Sequence, residues 1–229
     1  MNEAHKMKAG NIILITGKPG SGKTTLISRL CQLLANHDRI SVTGFVTKEL
    51  RDQNSNHRIG FDVIQLCDAA GQTLNQSNRA PLARVAAHAP NLPRNAPRVG
   101  SYLVDLASFE RLALPCLESC RAALEDQNSH YSIGTLRVCV IDEIGKMELL
   151  STPFQRHLEQ LIRQISQPAA AANVVLLATV PLGRGPSGQR GIRLVDDLCS
   201  RDEVCLFEIS VATRDKMTDL VYTTITNLL

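Results

Sequence analysis

Ile12-Ile-Leu-Ile15 followed at once by Gly17-Lys-Pro-Gly-Ser-Gly-Lys-Thr24 is the stretch that decides the fold. The second piece fits G-x-x-x-x-G-K-[ST], a loop whose glycines let successive backbone N–H groups turn toward a phosphate with no Cβ in the way. An apolar strand precedes it. A helical pattern follows, in which Leu26, Ile27, Leu30, Leu33 and Leu34 recur along one face at a period of 3.6. Strand, glycine loop and helix together make an anion cradle, because the helix turns its positive dipole end and its unpaired N–H groups toward the loop. Within it, Lys23 is placed to reach the β- and γ-phosphates of a nucleotide and Thr24 to ligate Mg²⁺. Gly17, Lys18, Pro19, Gly20, Ser21, Gly22, Lys23, Thr24 and Thr25 are the expected nucleotide-binding residues of this first segment.

Such a loop needs a partner that holds the metal, and the chain offers Val138-Cys-Val-Ile-Asp142-Glu143. Asp142 closes a hydrophobic strand at its carboxyl end, where ligands bind in open α/β sheets, and is expected to hold Mg²⁺. Glu143 is expected to accept a proton from an attacking water. The catalytic pair is therefore Lys23 with Glu143, and the metal pair Thr24 with Asp142. More than a hundred residues separate the loop from the acids, with strand signals between, so another strand is expected to lie between the two. No N-K-x-D guanine reader occurs in the sequence.

Other strand signals lie at 40–49, 59–66, 102–106, 136–141, 174–180 and 204–209, each β-rich and bounded by turn residues. Nearly continuous apolar strands alternating with helices predict a three-layer α/β sandwich with a largely parallel sheet. Thr43 to Leu66, broken by Asp52-Gln-Asn-Ser-Asn-His57, predicts an antiparallel hairpin. A second helix, with Phe154, Leu158, Leu161, Ile162 and Ile165 on one face, is expected to be capped by Thr152 ahead of Pro153. Asp68 to Val99, with Pro81, Pro90, Pro93 and Pro97, reads as a surface excursion. Leu182 to Gly191 reads as a mobile loop. One domain, 1–229, with a polar tail over 1–10, is the expected organisation.

The bulk numbers fit a globular protein of that kind. Hydrophobic residues make up 44% of the 229 and charged ones 21%, which excludes wholesale disorder. A net charge of +3 from scattered basic residues gives no nucleic-acid surface. No apolar run is long enough to span a bilayer. Seven cysteines without a C-x-x-C pair read as reduced thiols of a cytoplasmic protein, with Cys116 and Cys120 at helical spacing lacking the ligands for zinc. A monomer is expected.

Four strings occur in order: Thr16-Gly-Lys-Pro-Gly-Ser-Gly-Lys-Thr-Thr-Leu26, Gly44-Phe-Val-Thr-Lys-Glu49 with Arg58-Ile-Gly-Phe61, Arg98-Val-Gly-Ser-Tyr-Leu-Val-Asp105, and Val140-Ile-Asp-Glu-Ile-Gly-Lys-Met-Glu148. Together they resemble the THEP1-type nucleoside-triphosphatases, also called cancer-related nucleoside-triphosphatase. The resemblance implies a RecA-like α/β P-loop domain that slowly hydrolyses several nucleoside triphosphates with little base preference. It also implies a second nucleotide-contacting segment made of Cys139, Val140, Ile141, Asp142, Glu143, Ile144, Gly145 and Lys146. The chain departs from the family pattern in longer 68–98 and 182–193 loops.

The residues leave some alternatives open. Arg51 and Arg58 are either an arginine finger or the solvated end of the hairpin. Arg184, Arg190 and Arg193 are either a lid over the triphosphate or a mobile loop. Lys146 reaches phosphate or lies on the surface. Thr179 senses the γ-phosphate or caps its strand. A nucleotide or small-molecule kinase, and a nucleotide-dependent switch, compete with a hydrolase of ATP, GTP and other triphosphates.

Overall fold

The first strand, β1 (Ile12–Gly17), is buried along its whole length, because strands flank it on both sides of a nine-stranded sheet and its side chains enter apolar layers on both faces. The computed structural model of the chain describes residues 10–66, 78–93, 95–125, 134–167, 173–183 and 188–229. In chain order the elements after β1 are α1 (Lys23–Ala35), β2 (Ile40–Arg51), β3 (Arg58–Leu66), β4 (Arg79–Val85), β5 (Arg98–Val99) and β6 (Tyr102–Val104). There follow α2 (Leu106–Glu125), β7 (Leu136–Asp142), α3 (Thr152–Ile165), β8 (Val174–Thr179), α4 (Arg193–Cys199), β9 (Val204–Ile209) and α5 (Arg214–Thr226). The sheet order is β5-β6-β4-β3-β2-β7-β8-β1-β9.

The five strands β2-β7-β8-β1-β9 are parallel. They form the central sheet that the buried apolar runs predict, and β8 is the strand expected between β1 and β7. The antiparallel part extends beyond the expected hairpin. β2 and β3 pair across a turn in which Asp52 accepts from the N–H groups of Asn54 and Ser55, and then β4, β6 and β5 continue the pairing outward. Strand β4 lies inside the stretch read as an irregular excursion. Pro81 argues against a strand by sequence, since it cannot donate to a ladder. The structure admits it where the β3–β4 register shifts between Phe61 and Asp62, opposite Pro81. Asp62, only 5% exposed, is held there by Arg79 and Arg84 together.

Helices cover both faces. Leu26, Ile27, Leu30 and Leu34 of α1 pack with Val221 and Ile225 of α5 against one side of the sheet. Helices α2, α3 and α4 cover the other, where Phe45, Phe109 and Phe154 meet with ring centroids 5.0–6.0 Å apart. On α1 the apolar stripe is rotated slightly from expectation: Leu33 is 38% exposed and Cys31 is buried. At 100° per residue Leu33 falls on the margin of a stripe centred between Leu30 and Leu34. Helix α3 buries the five predicted residues, but its cap is Ser151, one residue early. The Ser151 hydroxyl accepts from Phe154 N–H at 3.1 Å and donates to Glu110 at 2.7 Å. Among the described residues no helix is long and apolar enough to cross a membrane.

The thiol reading is corrected at one pair. Cys120 of α2 and Cys139 of β7 form a disulfide, their Cα atoms 6.0 Å apart, a separation ordinary for such a bond. Both side chains enter the same apolar layer between helix and sheet, a proximity that 19 residues of sequence separation do not reveal. Cys31, Cys116, Cys199 and Cys205 take no part in that bond. The 1–9 tail, residues 67–77 of the proline-rich stretch and Arg184 of the later loop lie outside the described residues.

Candidate functional site

Gly17 ends β1 directly beside Ile209, the last residue of β9, and from there the loop turns over. Ser21 N–H donates to Lys18 O at 3.0 Å, and Gly20 and Gly22 take φ of 79° and 93°, the left-handed region that favours glycine. Helix α1 begins with Gly22 as N-cap, no side chain capping it and no acidic residue in its first turn. Its leading N–H groups are thus free to take an anion. The Ser21 hydroxyl is buried with no hydrogen-bond partner among the described atoms. Lys18, Pro19, Gly20, Thr24 and Thr25 are exposed at the rim of the loop. Lys23 folds back across the loop to donate to Gly17 O at 3.3 Å.

The acidic strand meets this loop at its carboxyl end. Lys23 Nζ lies 3.5 Å from Glu143 Oε2. Asp142 is 1% exposed. Its carboxylate accepts from the Thr179 hydroxyl and, at 3.4 Å, from the Thr47 hydroxyl, while the Thr24 hydroxyl also faces it. Burial raises the affinity of Asp142 for a proton, and the hydroxyls and Lys23 work against that. Glu143 is raised for the same first reason, with Lys23 opposing and Asp142 adding to it. A buried carboxylate beside one lysine and three hydroxyls lacks positive charge, which a divalent ion would supply. Among the described residues no three His, Cys, Asp or Glu converge as a metal cage. One carboxylate and one hydroxyl do suit Mg²⁺, which keeps several waters and takes few protein ligands.

The turn after β7 is braced from below. Ile144 N–H donates to Thr179 O at 2.9 Å and its side chain is buried. Gly145 N–H donates to Glu148 at 3.2 Å. Cys139, Val140 and Ile141, expected in the nucleotide-contacting segment, have their side chains in the apolar layers of the sheet; in that segment Asp142 and Glu143 turn toward the loop. Lys146 is exposed.

Thr47 and Glu148 were assigned no role by sequence reasoning. Thr47 had a signal only in three dimensions, since its neighbour Val46 pairs with Asp142 across β2 and β7. Glu148 was visible as the last letter of the string Val140–Glu148, but its burial was not. Burial, reinforced by Glu143 and Asp142, pushes the Glu148 carboxyl up to about 8, so it holds its proton at neutral pH. A folded-state value above the ordinary 4.5 means that the native protein binds this proton more tightly than the unfolded chain. Stability from this group is therefore greatest at low pH and falls as pH rises from about 4.5 through about 8, by on the order of a few kcal/mol. Glu148→Gln should flatten that decline: between pH 5 and 8 its Tm should fall less than that of the parent protein. Equal slopes in thermal melts would remove Glu148 as the source.

The arginine candidates resolve differently. Arg51 and Arg58 both pair with Glu49 and remain half exposed at the hairpin. Arg190 donates to Pro181 O at 2.8 Å and lies 3.8 Å from Asp196, while Arg193 is 95% exposed beside Asp197. Thr179 holds Asp142.

An α/β fold whose uncapped glycine loop faces a buried Asp142 and a partly exposed Glu143 at the end of the parallel strands has a frame that suits phosphate. The chain belongs to the NTPase family, whose sequence profile matches residues 12–222. It is 37% identical over 206 residues to the cancer-related nucleoside-triphosphatase of Homo sapiens, covering 90% of this chain and 91% of that one. It is 34% identical over 205 residues to nucleoside-triphosphatase THEP1 of Thermotoga petrophila, covering 90% and 87%. The crystal structure of THEP1 from Aquifex aeolicus superposes with a TM-score of 0.66 at 29% identity, over 93% of this chain and 98% of that one. The solution structure of a human cancer-related nucleoside triphosphatase gives 0.65 at 36%, over 94% and 97%. The resemblance carried by the four strings is thus borne out, and the chain is an enzyme of this family.

Proposed function

We infer that the protein is a P-loop enzyme that hydrolyses nucleoside triphosphates to the diphosphate and phosphate, with Mg²⁺ and broad base tolerance. The observation that carries this is the Lys23–Glu143 approach of 3.5 Å above the buried Asp142. It joins a phosphate-seeking cation to a carboxylate in reach of the same terminal phosphate.

The residues divide the work. The α1 N-terminus and the loop N–H groups bind the triphosphate. Thr24 and Asp142 would hold Mg²⁺, which when bound neutralises charge on the phosphate oxygens. Thr179 and Thr47 hold the Asp142 carboxylate in one orientation. Lys23 leaves Gly17 O to follow the charge that develops on the terminal phosphate. Glu143, freed from Lys23, takes the proton of the attacking water. A water-activating acid has little use in a kinase that must exclude water, and Arg190 is committed to Pro181 and Asp196 rather than poised as a lid.

Phosphate release should be measured over ATP, GTP, CTP and UTP without added acceptor. All four are expected to turn over, with kcat/KM within roughly tenfold, or about 1–2 kcal/mol, of one another. Excess chelator should abolish release and Mn²⁺ restore it in part, as another hard octahedral ion. Full activity in chelator would refute the metal role, and no release from any of the four would refute hydrolysis.

A further inference from the structure

Arg214, the first residue of α5, has no part in the roles assigned above, yet its side chain lies on the glycine loop. A Cβ placed on Gly22 would come within 2.6 Å of its Nη1 and 2.7 Å of its Cδ. The turn that delivers it is fixed. Arg214 N–H donates to Ser210 O at 3.0 Å, Ser210 N–H donates to the Thr213 hydroxyl at 3.0 Å, and the Ser210 and Thr213 hydroxyls lie 3.1 Å apart. Asp215 stands 3.7 Å from Arg214 Nε and 3.4 Å from Arg29, shared between them. Val211, in the same turn, is 68% exposed.

The sheet order gives these residues a direction. Asp142 and Glu143 leave β7, which lies on one side of β1 with β8 between, while β9 lies on the other. A triphosphate whose terminal phosphate sits between Lys23 and Glu143 must run its nucleoside end away from β7, toward β9. Gly17 pairs with Ile209, so the 210–213 turn starts beside the loop itself. On that side of the loop stand Arg214, against Gly22, and the exposed Val211.

The geometry points to a nucleobase shelf made by the guanidinium plane of Arg214 and the exposed side chain of Val211. This inference rests on the nucleotide-hydrolase reading and supplies its base tolerance. A guanidinium stacks on the face of any base, and every base has such a face. Reading an edge requires free donors or acceptors, and the hydroxyls of Ser210 and Thr213 are engaged within their own turn. Purines and pyrimidines therefore gain from the same contact and none is selected.

The test compares ligands with and without a base. KM and kcat for ATP and CTP, and the inhibition constant of Mg-tripolyphosphate, should be measured for the parent protein, Arg214→Ala and Arg214→Lys. In Arg214→Ala, KM for both nucleotides should rise about tenfold, the loss falling on KM rather than kcat, with tripolyphosphate inhibition unchanged. Arg214→Lys keeps the charge and folds as readily but lacks the plane, and its KM should stay raised several-fold. Equal weakening of tripolyphosphate would make Arg214 a phosphate ligand and overturn the shelf. Parental KM in Arg214→Lys, or an unchanged KM in Arg214→Ala, would also overturn it. If the parent protein releases no phosphate, the hydrolase reading fails by itself. Equilibrium binding of ATP and of tripolyphosphate to the three proteins then decides the shelf by the same contrast.

Discussion

Glu143→Gln is expected to bind nucleotide and Mg²⁺ about as the parent protein does, while hydrolysis falls by roughly 10²–10⁴, the contribution of a positioned general base. Glutamine keeps the size of the side chain and an oxygen that can accept from Lys23, which sits 3.5 Å away. It removes a negative charge that otherwise crowds Asp142, so the metal pair Thr24 and Asp142 loses nothing. What disappears is the basic lone pair. The variant should accumulate with uncleaved triphosphate, seen as tight binding beside a slow single turnover. A parental single-turnover rate would take Glu143 out of the mechanism and favour a kinase or a switch, in which water is not the intended acceptor.

Lys23→Ala should lose about a hundredfold or more in kcat/KM, several kcal/mol of transition-state stabilisation. Two effects act in the same direction. The cation built into the cradle is gone, and Glu143 loses the charge that opposes its burial, so its carboxyl holds a proton more firmly. A carboxyl that favours its proton is a poorer acceptor of another. Folding should survive, because Lys23 contributes to neither apolar layer and its removal opens no core cavity. Near-parental kcat/KM in a variant with an unchanged Tm would dismiss the site.

The parallel strands and the glycine loop were legible because both are local. An apolar run buried on both faces looks the same wherever it sits, and the loop's chemistry lies within eight consecutive residues. Asp142 and Glu143 were legible through strand position, an acid pair closing a hydrophobic run. What sequence hid were the partnerships across the sheet. Thr47 reaches Asp142 from a strand whose register with β7 no local pattern sets. Strand β4 was hidden by Pro81, a residue that breaks most strands and is accommodated here by a register shift that leaves Leu82 of β4 without a partner opposite it in β3. The Cys120–Cys139 bond was hidden because the thiol count and compartment logic outweighed a proximity created only by packing α2 on β7. The role of Arg214 was invisible for the same reason, its contact with Gly22 joining the last helix to the first loop.

The neck of the loop after β8 sets where this protein can be lengthened. A Cβ on Gly183 would fall 1.9 Å from Gly188 O, so the chain leaves and returns through a single point. Below it, one carboxylate, Asp196, accepts from the N–H groups of Arg190, Gly191 and Ile192. Pro181 O receives both the Arg190 side chain and the Thr16 hydroxyl of β1. The knot is tied on the framework side, so the span between the two glycines can be exchanged without any strand of the site learning of it. A reporter peptide grafted between Gly183 and Gly188 should leave Tm and turnover at their parental values.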